Sequence, residues 1–155
     1  IASSIVSIEH PLKPLPSVAE ITSELARCTD PVLSERLRRK IGVRNAVGDG
    51  SSATIRAWIW RLGDAVIAAH PHEAYSHLQT TLRARRPERA IAVMNLCNGA
   101  SVGYLPPAEL YDRDLYQVWQ TPYARDVLER FTAACAAGID EMCSAQPTET
   151  KKATA

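Results

Sequence analysis

Residues 65–96, AVIAAHPHEAYSHLQTTLRARRPERAIAVMNL, hold the pattern that decides the fold. The apolar run Ala65 to His70 leads into a stretch where Tyr75, Leu78 and Leu82 recur at helical spacing. Pro87 stops that periodicity, and a second apolar run, Ala90 to Leu96, follows. The spacing predicts a strand over 65–70, a helix over 73–86 and a strand over 90–96. These lengths suit a βαβ unit, whose crossover makes the two strands parallel. Both carboxyl ends then emerge on one edge of the sheet, where ligands bind in open α/β folds. The first strand runs into His70-Pro71-His72-Glu73, and the second into Asn98-Gly99 and then Gly103-Tyr104. Polar groups therefore reach one edge from two separate parts of the chain.

Working outward, Ile55, Trp58, Ile59, Trp60 and Leu62 mark a strand over 53–62, and Gly63-Asp64 suits a tight turn back into 65–70. The continuous apolarity of this hairpin predicts cover on both faces. Gly48 to Ser52 is a flexible break. Before it, Asp30-Pro31 opens a helix with Leu33, Leu37 and Ile41 on its inner side. Arg36, Arg38, Arg39 and Lys40, partly offset by Asp30 and Glu35, read as its solvated face. Ser17 and Glu20 form a capping box for a helix burying Val18, Ile21 and Leu25. Residues 1–16 read as a short strand at Ile5, Val6 and Ile8, then a connector punctuated by Pro11, Pro14 and Pro16. Downstream, 97–107 form an irregular loop. The aromatics from Tyr111 to Tyr123 read as core rather than as a substrate cleft. Thr121-Pro122 opens a last helix carrying Val127, Leu128, Phe131, Cys135, Ile139 and Met142 inward.

The fold class expected is α/β: a βαβ unit with a preceding hairpin strand, flanked by helices. With 155 residues and 46% apolar side chains, the chain has the size and balance of one globular domain. A net charge of +1 offers no polybasic field, so neither nucleic acid nor an anionic membrane is the expected partner. No apolar run approaches the roughly 20 residues of a membrane helix. Cys28, Cys97, Cys135 and Cys143 lie far apart without a C-x-x-C pair, and read as small buried thiols rather than disulfides or metal ligands. The opening at Ile1, without Met or a basic leader, reads as a piece of something longer.

His70-x-His72-Glu73, with His77 a turn further on, has the look of a metal-ligand cluster. Each residue also has an ordinary role. His70 ends a strand, His72 faces solvent, Glu73 favours a helix N-terminus, and His77 lies on the helix surface. Tyr104 reads equally as an anchor that packs its loop.

The stretch from Trp58 to Tyr111 resembles the catalytic domain of the neutral/alkaline non-lysosomal ceramidases. The resemblance rests on Leu62-Gly63-Asp64, Ala68-Ala69-His70-Pro71-His72-Glu73, Asn95-Leu96-Cys97-Asn98-Gly99, Gly103-Tyr104-Leu105-Pro106-Pro107 and Glu109-Leu110-Tyr111. It implies that residues 1–145 are the C-terminal portion of a larger α/β hydrolytic domain; the polar composition from about Ser144 reads as a disordered tail over 146–155. The resemblance also implies a zinc ion held by two histidines, the glutamate of a Pro-x-Glu and a tyrosine, with Glu73 and Tyr104 in the last two places. His70, His72 and Asn98 become supporting candidates around that ion. The implied reaction is hydrolysis of the N-acyl amide of ceramide, or of a related acylated amine, by zinc-activated water. Tyr104 would steady the developing oxyanion. A lipid-like substrate and the upstream remainder of the domain are the implied partners; the compartment is left open, a secreted or periplasmic setting being compatible with the same resemblance. The family's zinc histidines and catalytic serine lie upstream of Pro-x-Glu. Residues 1–57 match none of them, and their single histidine is His10. Two other readings stand beside this one: a hydrolase of the same fold with a non-lipid substrate, and a non-catalytic interaction module on the same scaffold.

Overall fold

The structure is a computed structural model, and it describes residues 1–99 and 103–144. Its strands are β1 (Ala2–Pro11), β2 (Ser52–Leu62), β3 (Ala65–Ala69), β4 (Glu73–Ala74), β5 (Ala90–Met94) and β6 (Tyr104–Leu105). Its helices are α1 (Val18–Arg27), α2 (Pro31–Val47), α3 (His77–Arg85), α4 (Tyr116–Gln120) and α5 (Val127–Ser144). The tail expected over 146–155 lies outside the described residues, as do 100–102 in the loop before Tyr104.

The main sheet is mixed, in the order β1-β2-β3-β5. β1 and β2 are antiparallel, from Ala2 opposite Arg61 to Pro11 opposite Ser52. The hairpin into β3 turns at Gly63-Asp64, where Gly63 takes φ 63°, a value glycine adopts without steric cost. β3 and β5 are parallel, with Ala65 opposite Ala90 and Ala69 opposite Met94. α3 makes the crossover between them, so the βαβ unit expected from the sequence is present.

Its boundaries differ in two places. Glu73 and Ala74 are not the first turn of the crossover helix; they form β4, paired in parallel with β6. The Glu73 and Tyr75 N–H groups donate to the carbonyls of Gly103 and Leu105, at 3.1 and 3.4 Å. A distant loop thus satisfies donors that a helix start would leave unpaired. The second strand ends at Met94 because the chain then turns. Leu96 adopts φ 58°, and the Leu96 and Cys97 N–H groups donate to His72 and His70 carbonyls.

One face of the sheet is the core. Ile55, Ala57, Ile59, Val66, Ala68 and Ile91 are buried there beneath Leu128, Phe131, Cys135 and Ile139 of α5. Leu78 and Leu82 of α3 join the same cluster. Arg85 and Arg86 both bind the Asp140 carboxylate, at 2.6 and 2.8 Å, clamping α3 to α5. The other face contradicts the expectation of two-sided cover. Ile5, Trp60, Leu62 and Met94 are exposed there, because both packing helices lie on the inner side.

The two upstream helices begin as read. The Ser17 N–H donates to the Glu20 carboxylate at 2.7 Å, and the Glu20 N–H donates to Ser17 Oγ at 3.2 Å. Asp30 Oδ1 accepts from the N–H groups of Val32 and Leu33. The inner face of α2 differs. Leu37 is buried, but Leu33 is 40% exposed, and Arg44 is buried instead, bonded to Asp49 and the Gly50 carbonyl. α2 packs on α1 and at its end on β2, so the Val32–Leu33 side has no neighbour to cover it. Thr121-Pro122 follows the short helix α4 rather than opening α5. The chain passes the buried Tyr123, and α5 starts after Asp126 at φ 72°. All four cysteines are free, but only Cys135 is buried as expected; Cys28, Cys97 and Cys143 are half-buried. No described helix is long and apolar enough to cross a membrane.

α5 crosses the sheet at Gly138. A Cβ built there meets Val6 Cγ2 at 2.5 Å and Ile59 Cδ1 at 3.2 Å. Val6 is β-branched and has little rotamer freedom to withdraw. Gly138→Val should therefore lower stability by about 2 kcal/mol, overpacking outweighing the helix propensity gained. Urea denaturation checks this, and a variant as stable as the parent would show that α5 can lift off β1 freely.

Candidate functional site

β4 and β6 place Glu73 directly opposite Tyr104 in a parallel register. The Tyr104 phenol lies within hydrogen-bonding reach of the Glu73 carboxylate. Burial, the Glu73 charge and that hydrogen bond, in that order, raise its pKa above the ordinary phenol value. Tyr104 therefore stays protonated at neutral pH and serves as the donor of the pair. Both side chains are half-buried, so the pair remains open to a ligand.

The loop after β5 is tied to this pair by a residue the sequence reading passed over. Asn95 Nδ2 donates to the Ala74 carbonyl at 3.0 Å. Asn98, the expected support, is exposed at φ 57°. The strand ends before Asn95, which shifts the residue that faces β4. An asparagine immediately after a strand end was the available signal.

The histidines go elsewhere. His70 is fully buried and His72 nearly so, which overturns the solvent-facing reading of His72. Their rings stack at 6.2 Å. His70 meets Phe131 edge-on at 5.4 Å, and His72 meets Tyr123 at 5.7 Å. The contacts that hold them are thus with the α5 core and the segment before it. His70 Nδ1 accepts the His72 N–H at 3.3 Å, which puts the ring proton on Nε2, where it has no hydrogen-bond partner among the described residues. Burial first, and the neighbouring His72 second, depress its pKa to about 4. His77 is exposed at the start of α3, as expected. His10 is buried, with Nε2 bonded to the Ala124 carbonyl.

Tyr104 also opens onto a second feature. Its ring packs edge-on against Tyr116 at 6.0 Å, and Tyr116 packs on Trp119 at 5.1 Å. Tyr116 and Trp119 were expected in the core, yet they are 48% and 54% exposed. They form one wall of a groove of about 1100 Å³. α2 forms the facing wall with Val32, Leu33, Arg36 and Lys40, and Pro14, Leu15 and Pro16 lie along it.

Zinc asks for about three protein ligands plus an open position. Among the described residues no group of three or more His, Cys, Asp or Glu is placed to hold a metal ion. Glu73 and Tyr104 offer two oxygen donors and no nitrogen beside them, so these residues alone do not fit a zinc ion. Without a metal, the pair can still accept a proton from water at Glu73 and donate one from the Tyr104 hydroxyl. No protein-family model, curated protein or solved structure matches the chain.

Proposed function

We propose that the chain is part of an amide hydrolase resembling the neutral ceramidases, with Glu73 and Tyr104 as its reactive edge. The observation that carries this reading is the register pairing of those two residues at the carboxyl-end side of a parallel βαβ unit. In it Glu73 holds the water or amine proton, and the protonated Tyr104 hydroxyl donates to the oxygen that gains charge as the acyl carbonyl is attacked. Zinc belongs to the proposal only as a shared ion, its nitrogen donors coming from polypeptide outside these 155 residues. Bound there, it would supply a polarised carbonyl and a more acidic water.

The test is a zinc titration of this chain beside hydrolysis of an N-acyl amide by the full-length gene product. The chain alone should bind no stoichiometric zinc. In the full-length protein Tyr104→Phe should lower kcat about 100-fold, as expected for one oxyanion donor. Glu73→Gln should lower both zinc content and turnover. Full zinc and full turnover in Glu73→Gln would sink the reading. The exposed outer face of the sheet favours an interaction module as the second reading, and zinc-independence of every activity would turn the choice towards it.

A further inference from the structure

The groove between α2 and α4 has two kinds of wall. Tyr116, Trp119, Val32, Leu33 and Val43 make it mainly apolar, while Lys13, Arg36, Arg39, Lys40 and Arg44 set cations along it against one carboxylate, Glu35. Arg39 is paired with Glu35 at 3.0 Å, and Arg44 with Asp49 at 3.1 Å. Among the described residues Arg36 and Lys40 have no ion-pair partner. The Lys13 ammonium donates to the Val118 carbonyl and sits over the Tyr111 ring at 5.2 Å, which holds it beside α4. Burial lowers its pKa. The apolar wall runs through Tyr116 into Tyr104.

From this we infer that the groove binds a single-chain anionic amphiphile of the N-acylated amino acid type. The acyl chain lies along Tyr116 and Trp119, and the carboxylate of the amino acid is held by Arg36 and Lys40. An apolar surface removes the chain from water, and unpaired cations supply the charge that a neutral lipid amide would leave unused. A concave surface with two facing walls suits one chain better than a bilayer, which needs a protruding apolar surface. The naming of the bond as an amide rests on the hydrolase reading above; the preference for an anionic head does not.

The experiment titrates the 155-residue chain with N-lauroylglutamate and with neutral N-lauroylethanolamine, both below their micelle concentrations, by calorimetry. The anionic ligand should bind about tenfold tighter, the difference expected of one or two partly exposed charge pairs. Arg36→Glu with Lys40→Glu should erase that preference while leaving the thermal midpoint close to the parent's. Trp119→Ala should weaken both ligands, whereas Trp60→Ala, on the sheet face, should weaken neither. Equal binding of the two ligands, a preference that survives charge reversal, or no binding at all would overturn the inference. So would loss in Trp60→Ala alone, which would place the chain on the sheet. Cosedimentation with phosphatidylserine vesicles without binding of the free ligand would mean a membrane surface instead, and also overturns it. If the full-length protein hydrolyses amides but prefers neutral ones, the inference fails and the hydrolase reading stands. If it binds the anionic ligand and hydrolyses nothing, the reverse holds.

Discussion

Taking the protein from about pH 7 to about pH 4 should remove roughly 3 kcal/mol of folding stability through one side chain, His70. Its imidazole is fully buried against Phe131, with Nδ1 already accepting a backbone N–H and Nε2 without a partner among the described residues. Its folded pKa is depressed to about 4 from an ordinary 6.5. Above pH 6.5 both folded and unfolded chains hold it neutral, and it contributes no pH dependence. Between 6.5 and 4 the unfolded chain takes up a proton that the folded chain refuses, so stability falls throughout that window. Carboxylates also lose their partners in acid, so the informative quantity is a difference. His70→Asn keeps an acceptor for the His72 N–H and removes the titration. Urea denaturation at several pH values should give a shallower fall for this variant than for the parent. Equal slopes would mean that His70 gains its proton in the folded state near its ordinary pKa.

Phe131→Ala should cost about 3–5 kcal/mol, the usual penalty for removing a buried aromatic ring that its surroundings cannot refill. Phe131 is wholly buried in the second turn of α5 and touches both His70 and His72. The neighbours are held by the sheet on one side and by the Arg85 and Arg86 clamp on Asp140 on the other, which limits collapse into the cavity. The two effects should couple. Water entering the space left by the ring would solvate His70, so its pKa, followed by NMR, should climb back towards 6.5. A loss under 1 kcal/mol, well below the expected cost of such a cavity, would show that α5 repacks easily and that the depressed His70 pKa has another origin.

Much of the fold was legible because its signals are local. The Ser17–Glu20 box, the Asp30-Pro31 start, the Gly63-Asp64 turn and the Pro87 stop each act within a few residues of themselves. The approach of Glu73 to Tyr104 was legible too, because a parallel crossover returns both strand ends to one edge. What escaped depends on partners far along the chain. Two-residue strands have no periodicity, so β4 and β6 exist only because each finds the other. The apolar residues of β2 looked buried on both faces, yet alternation in β2 sends Ile55, Ala57 and Ile59 inward and leaves Trp60 out. The histidines looked like a polar cluster at an edge. α5 covers them, and nothing near residue 70 announces a helix that begins at Val127. Arg36 and Lys40 read as a solvated face, and only the position of α4 across from them makes a groove.

The register of the main sheet also decides how the molecule can be handled. Ala2 lies beside Arg61, Val66 and Ile91, at the end where β3 and β5 begin. The row where those strands finish, through Ile5, Trp58, Ala69 and Met94, is roughly 10 Å further along, and Glu73 lies beyond it. The Ala2 end of β1 therefore sits at the opposite pole from the Glu73–Tyr104 pair. An affinity handle, a fluorescent dye or a tether to a sensor chip joined to Ile1 would present the Glu73–Tyr104 edge outward, towards the solution.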